Sequence, residues 1–546
     1  GSTLYSAPIP ISETTCVRAR AYKAGLYPTN IDTHTYIFVA DVVNQSPTGN
    51  TPPTPDWPSS NVNGQVIQYG MDPDVTQDPD YADQIDDALL AIPTISLVTN
   101  LDNLFHPSTG IYVNASSEGD AWERVTSVEL LNPDGTKGFQ ENAGLRIRGG
   151  ASRNSGVPKH GFRLRFRREY GTAKLDYPIF GPDGPDSSNG VDLRCSQTPG
   201  WHYFDGNSVF ARDVFARDLQ IAQGQPSTRG DKYHLYLNGV YWGMYETQEN
   251  LEQSFMAENH GGENEDYDII GKKKHGQTID GSDAAYRELH AMTMAGFSGD
   301  EGMDNYYRAQ GLESDGVTRN PAYTKLLDVE ALTDYMLVHY WTGELDGMAG
   351  RWGLNNYVCA FNRENPDGFK FFKYDSEWSL DVGFSNNVTR TDNNGNFDRF
   401  NALVIHLRAV LNSDYLIAFA DRTHKHFFND GIMTPDNALA LFTKRTDEID
   451  LAIIGESARW GDAKTTTSPK TRNGTWIPDV NRTRNWISTR TATVLNQLRT
   501  ARWYPDLDAP VFNQHGGEVA PGFGLEISNT GGNIYYTTDG SDPRLP

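Results

Sequence analysis

The stretch GLRIRGGASRNSGVPKHGFRLRFRREYG, residues 144–171, places eight cationic side chains in a chain whose formal net charge is -24. Arg146-Ile147-Arg148 alternates, and so does Phe162-Arg163-Leu164-Arg165-Phe166-Arg167. Alternation at period two predicts two strands, each with arginines on one face and apolar residues on the other. Gly149-Gly150-Ala151-Ser152-Arg153 between them is a flexible turn that lets the backbone approach a neighbour closely, and Pro158 stiffens the way to Lys159. A glycine-rich turn flanked by cations suits an anion, because backbone N–H groups point at it and the cations neutralise it. The competing reading is a sheet face whose arginines pair with acids elsewhere in the chain. Arg146 and Arg163 suit that second reading as ion pairs, worth little if exposed.

Composition narrows the classes around this segment. The chain has 546 residues, enough at roughly 150 residues per domain for about three or four domains. Its 71 acidic residues against 47 Lys and Arg argue against nucleic acid as a partner. No run of 18 apolar residues exists, so no membrane-spanning segment is expected. Cys16, Cys195 and Cys359 lie far apart without a CxxC pair, which predicts free, buried thiols rather than a disulfide framework or a zinc site. His202, His234, His260, His290 and His339 show no metal-ligand spacing, and no GxSxG elbow points to a serine hydrolase. Residues 392–398, DNNGNFD, resemble the start of a calcium loop, but position twelve is Leu403 instead of a bidentate acid, so a turn is the better reading.

Strand and turn signals run from residue 92 to about 250. IPTISLV (92–98) reads as a buried strand, and residues 233–245 as a hairpin turning at Asn238-Gly239. Residues 211–223 predict an early helix. Beyond residue 280 helices dominate: Asp328 caps a run in which Leu332, Tyr335, Met336 and His339 share a face, and apolar periodicity continues through 403–428, 436–454 and 482–501. Strands followed by helices predict an α+β chain with a β-rich lobe and then a helical lobe. Residues 40–91, rich in Pro, Asn, Asp, Ser and Thr, read as an irregular linker.

The ends have a character of their own. Residues 532–543 (GNIYYTTDGSDP) predict two turns around a short strand; LYSAPIPIS (4–12) and TCVRARAY (15–22) are a loop and an alternating strand. Joined end to start, they resemble the two halves of the β-sandwich module at the C-terminus of chitobiases and β-hexosaminidases. The resemblance makes residues 1–39 a second half and residues 506–546 a first half, cut mid-module from a longer protein.

The middle of the chain resembles the CotH kinase family, the spore-coat-protein-H type of atypical protein kinase. The stretches that carry it are IPTISLVTNLDNLFHPSTGIYVN (92–114), WERVTSVEL (122–130), residues 144–171, LDYPIFG (175–181), YHLYLNGVYWGMYETQEN (233–250), EDYDIIG (265–271) and FKFFKYDSEWSL (369–380), in order and at similar spacing. The resemblance implies a two-lobed, protein-kinase-like domain over residues 92–505, using ATP with Mg2+ or Mn2+ to phosphorylate Ser or Thr of a protein acceptor. Kinase chemistry is mostly positioning and charge neutralisation, with cations on the phosphates, an acid and an amide on metal, and a carboxylate orienting the acceptor hydroxyl. On that pattern Asp346 is the catalytic-base candidate, with Glu344 its substitute. Asn356 and Asp375 are metal candidates, and Glu377, where the family commonly has an aspartate, is a secondary one. Arg148, Ser152 and Lys159 are the phosphate-side candidates, against a surface role for Lys159.

The family and modules together imply an extracellular or cell-surface bacterial protein. The alternative is an inert kinase-like core serving as a scaffold or adhesion protein, with side modules directed at polysaccharide or another surface component.

Overall fold

The structure, a computed structural model, describes residues 2–197, 199–203, 207–271, 278–348, 355–389, 401–465 and 468–544. Residues 392–398, read from the sequence as a turn, lie outside the described residues. Seven strands close into a barrel: β1 (Thr94–Val98), β2 (Arg124–Leu131), β3 (Lys137–Arg148), β4 (Gly161–Arg165), β5 (Gly190–Arg194), β6 (Lys232–Leu237) and β7 (Val240–Glu249). The ring runs β6-β7-β5-β4-β3-β2-β1 and is sealed by parallel pairing of β6 with β1, the other pairs being antiparallel. Alternation does what the sequence predicted. Leu145, Ile147, Phe162, Leu164, Val191 and Leu193 point into one apolar core, each fully buried side chain contributing about 1.5–3 kcal/mol. Asn238 and Gly239, both at positive φ, make the predicted β6–β7 turn.

A four-stranded sheet follows, in the order β9-β8-β10-β11, from β8 (Tyr267–Gly271), β9 (Thr278–Asp280), β10 (Val358–Asn362) and β11 (Lys370–Phe372). Helices α1 (Arg212–Ala222), α2 (Val329–Thr342), α3 (Ala402–Ala409), α4 (Ser413–Phe427), α5 (Pro435–Asp447), α6 (Ile453–Trp460) and α7 (Ile477–Thr500) build the second large core. Asp328 caps α2 as predicted, its side chain accepting from the Ala331 N–H at 3.0 Å. Yet α2 is not one-sided: every residue from 331 to 342 is buried. The predicted 403–428 helix is two, because Asn412 caps a new start at α4 by accepting from the N–H groups of Asp414 and Tyr415. No single helix among the described residues is long and apolar enough to cross a membrane. All three cysteines are free thiols, with Cys195 and Cys359 buried and Cys16 half-buried.

Residues 40–91, expected to be an irregular linker, are irregular in local structure and ordered by packing. Trp57 and Tyr69 join the barrel core, and Met71, Val75, Tyr81 and Ile85 pack with Tyr236, Tyr241 and Ile454 in a cluster of their own. Their turn-rich composition is ordered by these few large apolar anchors. At the C-terminal end, by contrast with the expectation, residues 533–538 form no strand: the segment is largely exposed and pairs with no strand among the described residues. The N-terminal strand does form: Thr15–Ala19 pairs with Asp32–Tyr36. That hairpin docks on the barrel where Thr35 N–H donates to Glu129 at 2.7 Å and Thr33 meets Ser127 at 2.8 Å.

Candidate active site

The outward faces of β3, β4, β5 and β7 carry the polar half of the alternation. Register puts Arg146 opposite Arg163, Arg163 opposite Asp192, and Asp192 opposite Gln248. Like charges facing each other across strands destabilise a sheet, and acids resolve it here. Arg146 pairs with Glu123, while Asp192 accepts from both Arg163 and Arg148, the latter at 2.8 Å. Burial works against ionising Asp192, but the two arginines win and hold its carboxyl far below the usual range. Arg146, Arg148, Arg163 and Arg194 from these faces line one wall of a cleft of about 1050 Å³.

The turn after β3 forms the rim. Gly149 sits at φ +116°, and a side chain there would collide with Ser152 Oγ. Arg153 clamps the turn by donating to the carbonyls of Gly149, Ile147, Ala115 and Ser117. Ser152 and Arg148 both line the cleft. Arg148 also donates to the Tyr374 hydroxyl at 3.0 Å, bridging the barrel to the opposite wall.

That opposite wall is built from the ends of α2, β10 and β11. Gly343, in left-handed conformation, terminates α2 and leads to Glu344 and Asp346. Glu344 is buried and committed to Lys373, with Ser376 Oγ donating to it at 3.3 Å. It therefore ties two loops together from behind and, unlike Asp346, does not line the cleft. A second tie is Leu345 N–H to the Trp378 carbonyl at 2.7 Å. Asn355 Nδ2 donates to both carboxylate oxygens of Asp346, at 2.9 and 3.0 Å. Asn356 Nδ2 reaches Asp346 Oδ2 at 3.2 Å and the Asp375 carbonyl at 3.4 Å. Asn356 and Asp375 are both left-handed, at φ +45° and +57°. Non-glycine residues in that conformation cost energy and gather at functional sites. Burial pushes the Asp346 carboxyl up to about 6; the Asn355 amide opposes the shift, while the charges of Asp375 and Glu344 add to it.

The fold thus brings Arg148, Ser152, Asp346, Asn356, Asp375 and Glu377 to one cleft. It does not bring Lys159, which is neither on a phosphate path nor on the surface. Its side chain is fully buried, Nζ donating to Glu456 on α6 at 2.7 and 2.9 Å and to the Met244 carbonyl at 2.9 Å. Burial lowers the ammonium's pKa and raises that of the Glu456 carboxyl, and each charge opposes the other's shift. Sequence reading also missed Arg194 and Asp192, and of the amide pair Asn355-Asn356 it took only the second. The period-two pattern in GVDLR (190–194), the same as that of Arg146 and Arg148, was the signal for the first two.

A model of the family described as CotH kinase protein matches residues 145–494, more than half of the chain. The chain belongs to the CotH kinase family. Strands β1 and β2 lie ahead of the residues matched to CotH yet complete the barrel. No curated protein matches. A solved structure of the proinflammatory kinase CtkA of Helicobacter pylori is similar at 9% identity, over 59% of this chain and 94% of that one, with a TM-score of 0.21. At the level of the CotH family the chemistry is kinase-type phosphoryl transfer, which in general uses ATP and a divalent metal.

Among the described residues no group of three His, Cys, Asp or Glu side chains could hold a metal by itself. Magnesium needs no such cage, since it binds through one or two carboxylates completed by water and substrate phosphates. Asp375, with 37% of its side chain exposed, and the Asn356 amide offer oxygen donors of that kind, with Glu377 beside them. These residues fit a divalent cation carried in with phosphate.

Proposed function

We propose that this chain transfers the γ-phosphoryl group of ATP to a Ser or Thr hydroxyl of a secreted or surface protein. The observation that carries the reading is the linkage of Asp346 to Asp375 through Asn356 inside one cleft whose other wall is lined by arginines. Asp346, held by two amides, accepts the acceptor's hydroxyl proton as that oxygen forms its bond to the γ-phosphorus. The bond to the β-bridging oxygen breaks, and ADP leaves. Asp375 and the Asn356 oxygen would hold Mg2+ or Mn2+, with Glu377 as a further ligand, and the bound cation would supply neutralisation of phosphate charge. Arg148, backed by Asp192, stands on the phosphate side, where a planar guanidinium can pair with two oxygens. Ser152 lines the same rim.

Localisation outside the cell belongs to the same proposal and rests on the family together with the likeness of the chain ends to chitobiase-type modules. Thermal-shift titration with ATP, with and without Mg2+ or Mn2+, tests the site, because a ligand that binds only the folded state raises the melting temperature. The expected result is a metal-dependent shift in the wild type that Asp375→Ala loses, together with loss of transfer by a variant that still folds. No shift at millimolar ATP would favour the non-catalytic scaffold, and pulldown on polysaccharide would then test its adhesive side.

A further inference from the structure

Arg194 ends β5 on the outward, polar face of the barrel, and only 3% of its side chain is exposed although it borders the cleft. One terminal nitrogen donates forward to Asp375 Oδ1 and to Glu377 Oε1, the latter at 2.9 Å. Behind, its other nitrogens meet Gln248 Oε1 at 3.1 Å and Asp213 Oδ2 at 3.6 Å. Those anchors are themselves fixed. Gln248 donates to Thr228 Oγ1 at 3.0 Å, and Asp213 accepts from Arg217 at 3.1 Å. Asp213 also accepts from the Ser376 N–H at 2.7 Å, so the acid that backs the arginine also sets the backbone between Asp375 and Glu377. The guanidinium and the two cleft acids belong to one hydrogen-bonded network. Burial opposes the charge on Arg194, yet Asp213, Asp375, Glu377 and Glu246 together hold its pKa well above the usual value.

A cation bound at Asp375 and Glu377 must therefore compete with a cation already there. Bound phosphate changes the balance, since it offers the guanidinium an acceptor of matching geometry. We propose that Arg194 is a built-in counter-ion: it covers the metal-side acids in the free protein and turns to nucleotide phosphate when metal and nucleotide enter, so that the two ligands bind cooperatively. The inference rests on the reading of Asp375 as a metal-side carboxylate. Coupling of this kind is reciprocal, with each ligand tightening the other by the same factor.

The test is Mn2+ binding to the full chain, read by electron paramagnetic resonance of the free ion, alone and with saturating ADP. Arg194→Gln should bind Mn2+ alone about tenfold more tightly than the wild type, equivalent to about 1.4 kcal/mol, and should show a smaller coupling to ADP. Chelation of Mn2+ by ADP in solution is common to all variants and cancels from that comparison. A folded Arg194→Gln protein with unchanged or weaker Mn2+ affinity would overturn the proposal. Equal wild-type Mn2+ affinity with and without ADP, when ADP is bound, would overturn the proposal with no variant at all. Absence of ADP binding under every condition would break the kinase reading, while the nucleotide-free Mn2+ comparison would still decide the counter-ion.

Discussion

Two charged clusters in this molecule use the same chemistry for opposite ends. Lys159 and Glu456 form a pair with neither side chain exposed, completed by the Met244 N–H and carbonyl. Asp346, Asp375 and Arg194 form a cluster of similar hydrogen-bond density, but it opens on the cleft and keeps a carboxylate more than one-third exposed. A sealed pair can only hold structure together. It joins β7 and the turn before β4 to α6, across 297 residues of chain. An open cluster with left-handed Asn356 and Asp375 can exchange partners with a ligand. Access to solvent, more than residue type, separates the two.

The largest expected effect breaks the sealed pair. Lys159→Met leaves Glu456 charged and unpaired in the interior, a change that costs about 3–5 kcal/mol. Denaturant unfolding should show that loss, Lys159→Met with Glu456→Gln should recover most of it, and nucleotide affinity of the folded fraction should stay within about twofold, below the tenfold that 1.4 kcal/mol represents. A selective loss of nucleotide affinity would instead return Lys159 to the phosphate side. In the open cluster, Asp346→Asn should lower kcat by about 10²–10⁴-fold, the usual contribution of a general base, with the melting temperature nearly unchanged.

Arg148→Ala removes a cleft cation and the bridge to Tyr374. Calorimetric titration should show nucleotide affinity lower by about tenfold, the scale of one charge-assisted hydrogen bond. The pH profile sharpens the comparison further. The proposed general-base role requires Asp346 ionised, so kcat/KM, which reports the free protein's groups, should rise with pH through an acidic limb near about 6. Asn355→Ala deletes the amide that favours the ionised form, and its limb should move to higher pH. Stability has the opposite sign here. The folded protein holds this proton more tightly than the unfolded chain does, so Asp346 costs stability as pH rises from 3.8 to about 6. The smallest effect lies far from both clusters: Arg544→Ala removes an exposed pair with Asp421, and unfolding should change by less than about 1 kcal/mol.

Local pattern made much of this legible. Alternation in 144–171 and 233–245 identified four of the barrel strands, Asp328 announced the start of α2, and the order of the acidic and amide residues after α2 led to three residues that share the cleft. These features depend on neighbours within a few positions, where side-chain period and capping chemistry act directly. The family match then supports the kinase reading over the middle of the chain.

What pattern could not decide was which polar face would be covered, and by what. Alternation puts Arg194 and Asp192 on the outer face of β5, but only the fold brings Asp375 and Glu377, some 180 residues later, to the same guanidinium. Lys159 read as a phosphate-side or surface cation until α6 delivered Glu456 to it, and the turn-rich residues 40–91 showed no packing partner until Trp57, Tyr69 and Tyr81 found cores to fill. Sequence period sets the direction of a side chain relative to its own backbone. Burial, pairing and access are set by distant segments, because desolvation and Coulomb energy depend on what arrives within a few ångströms.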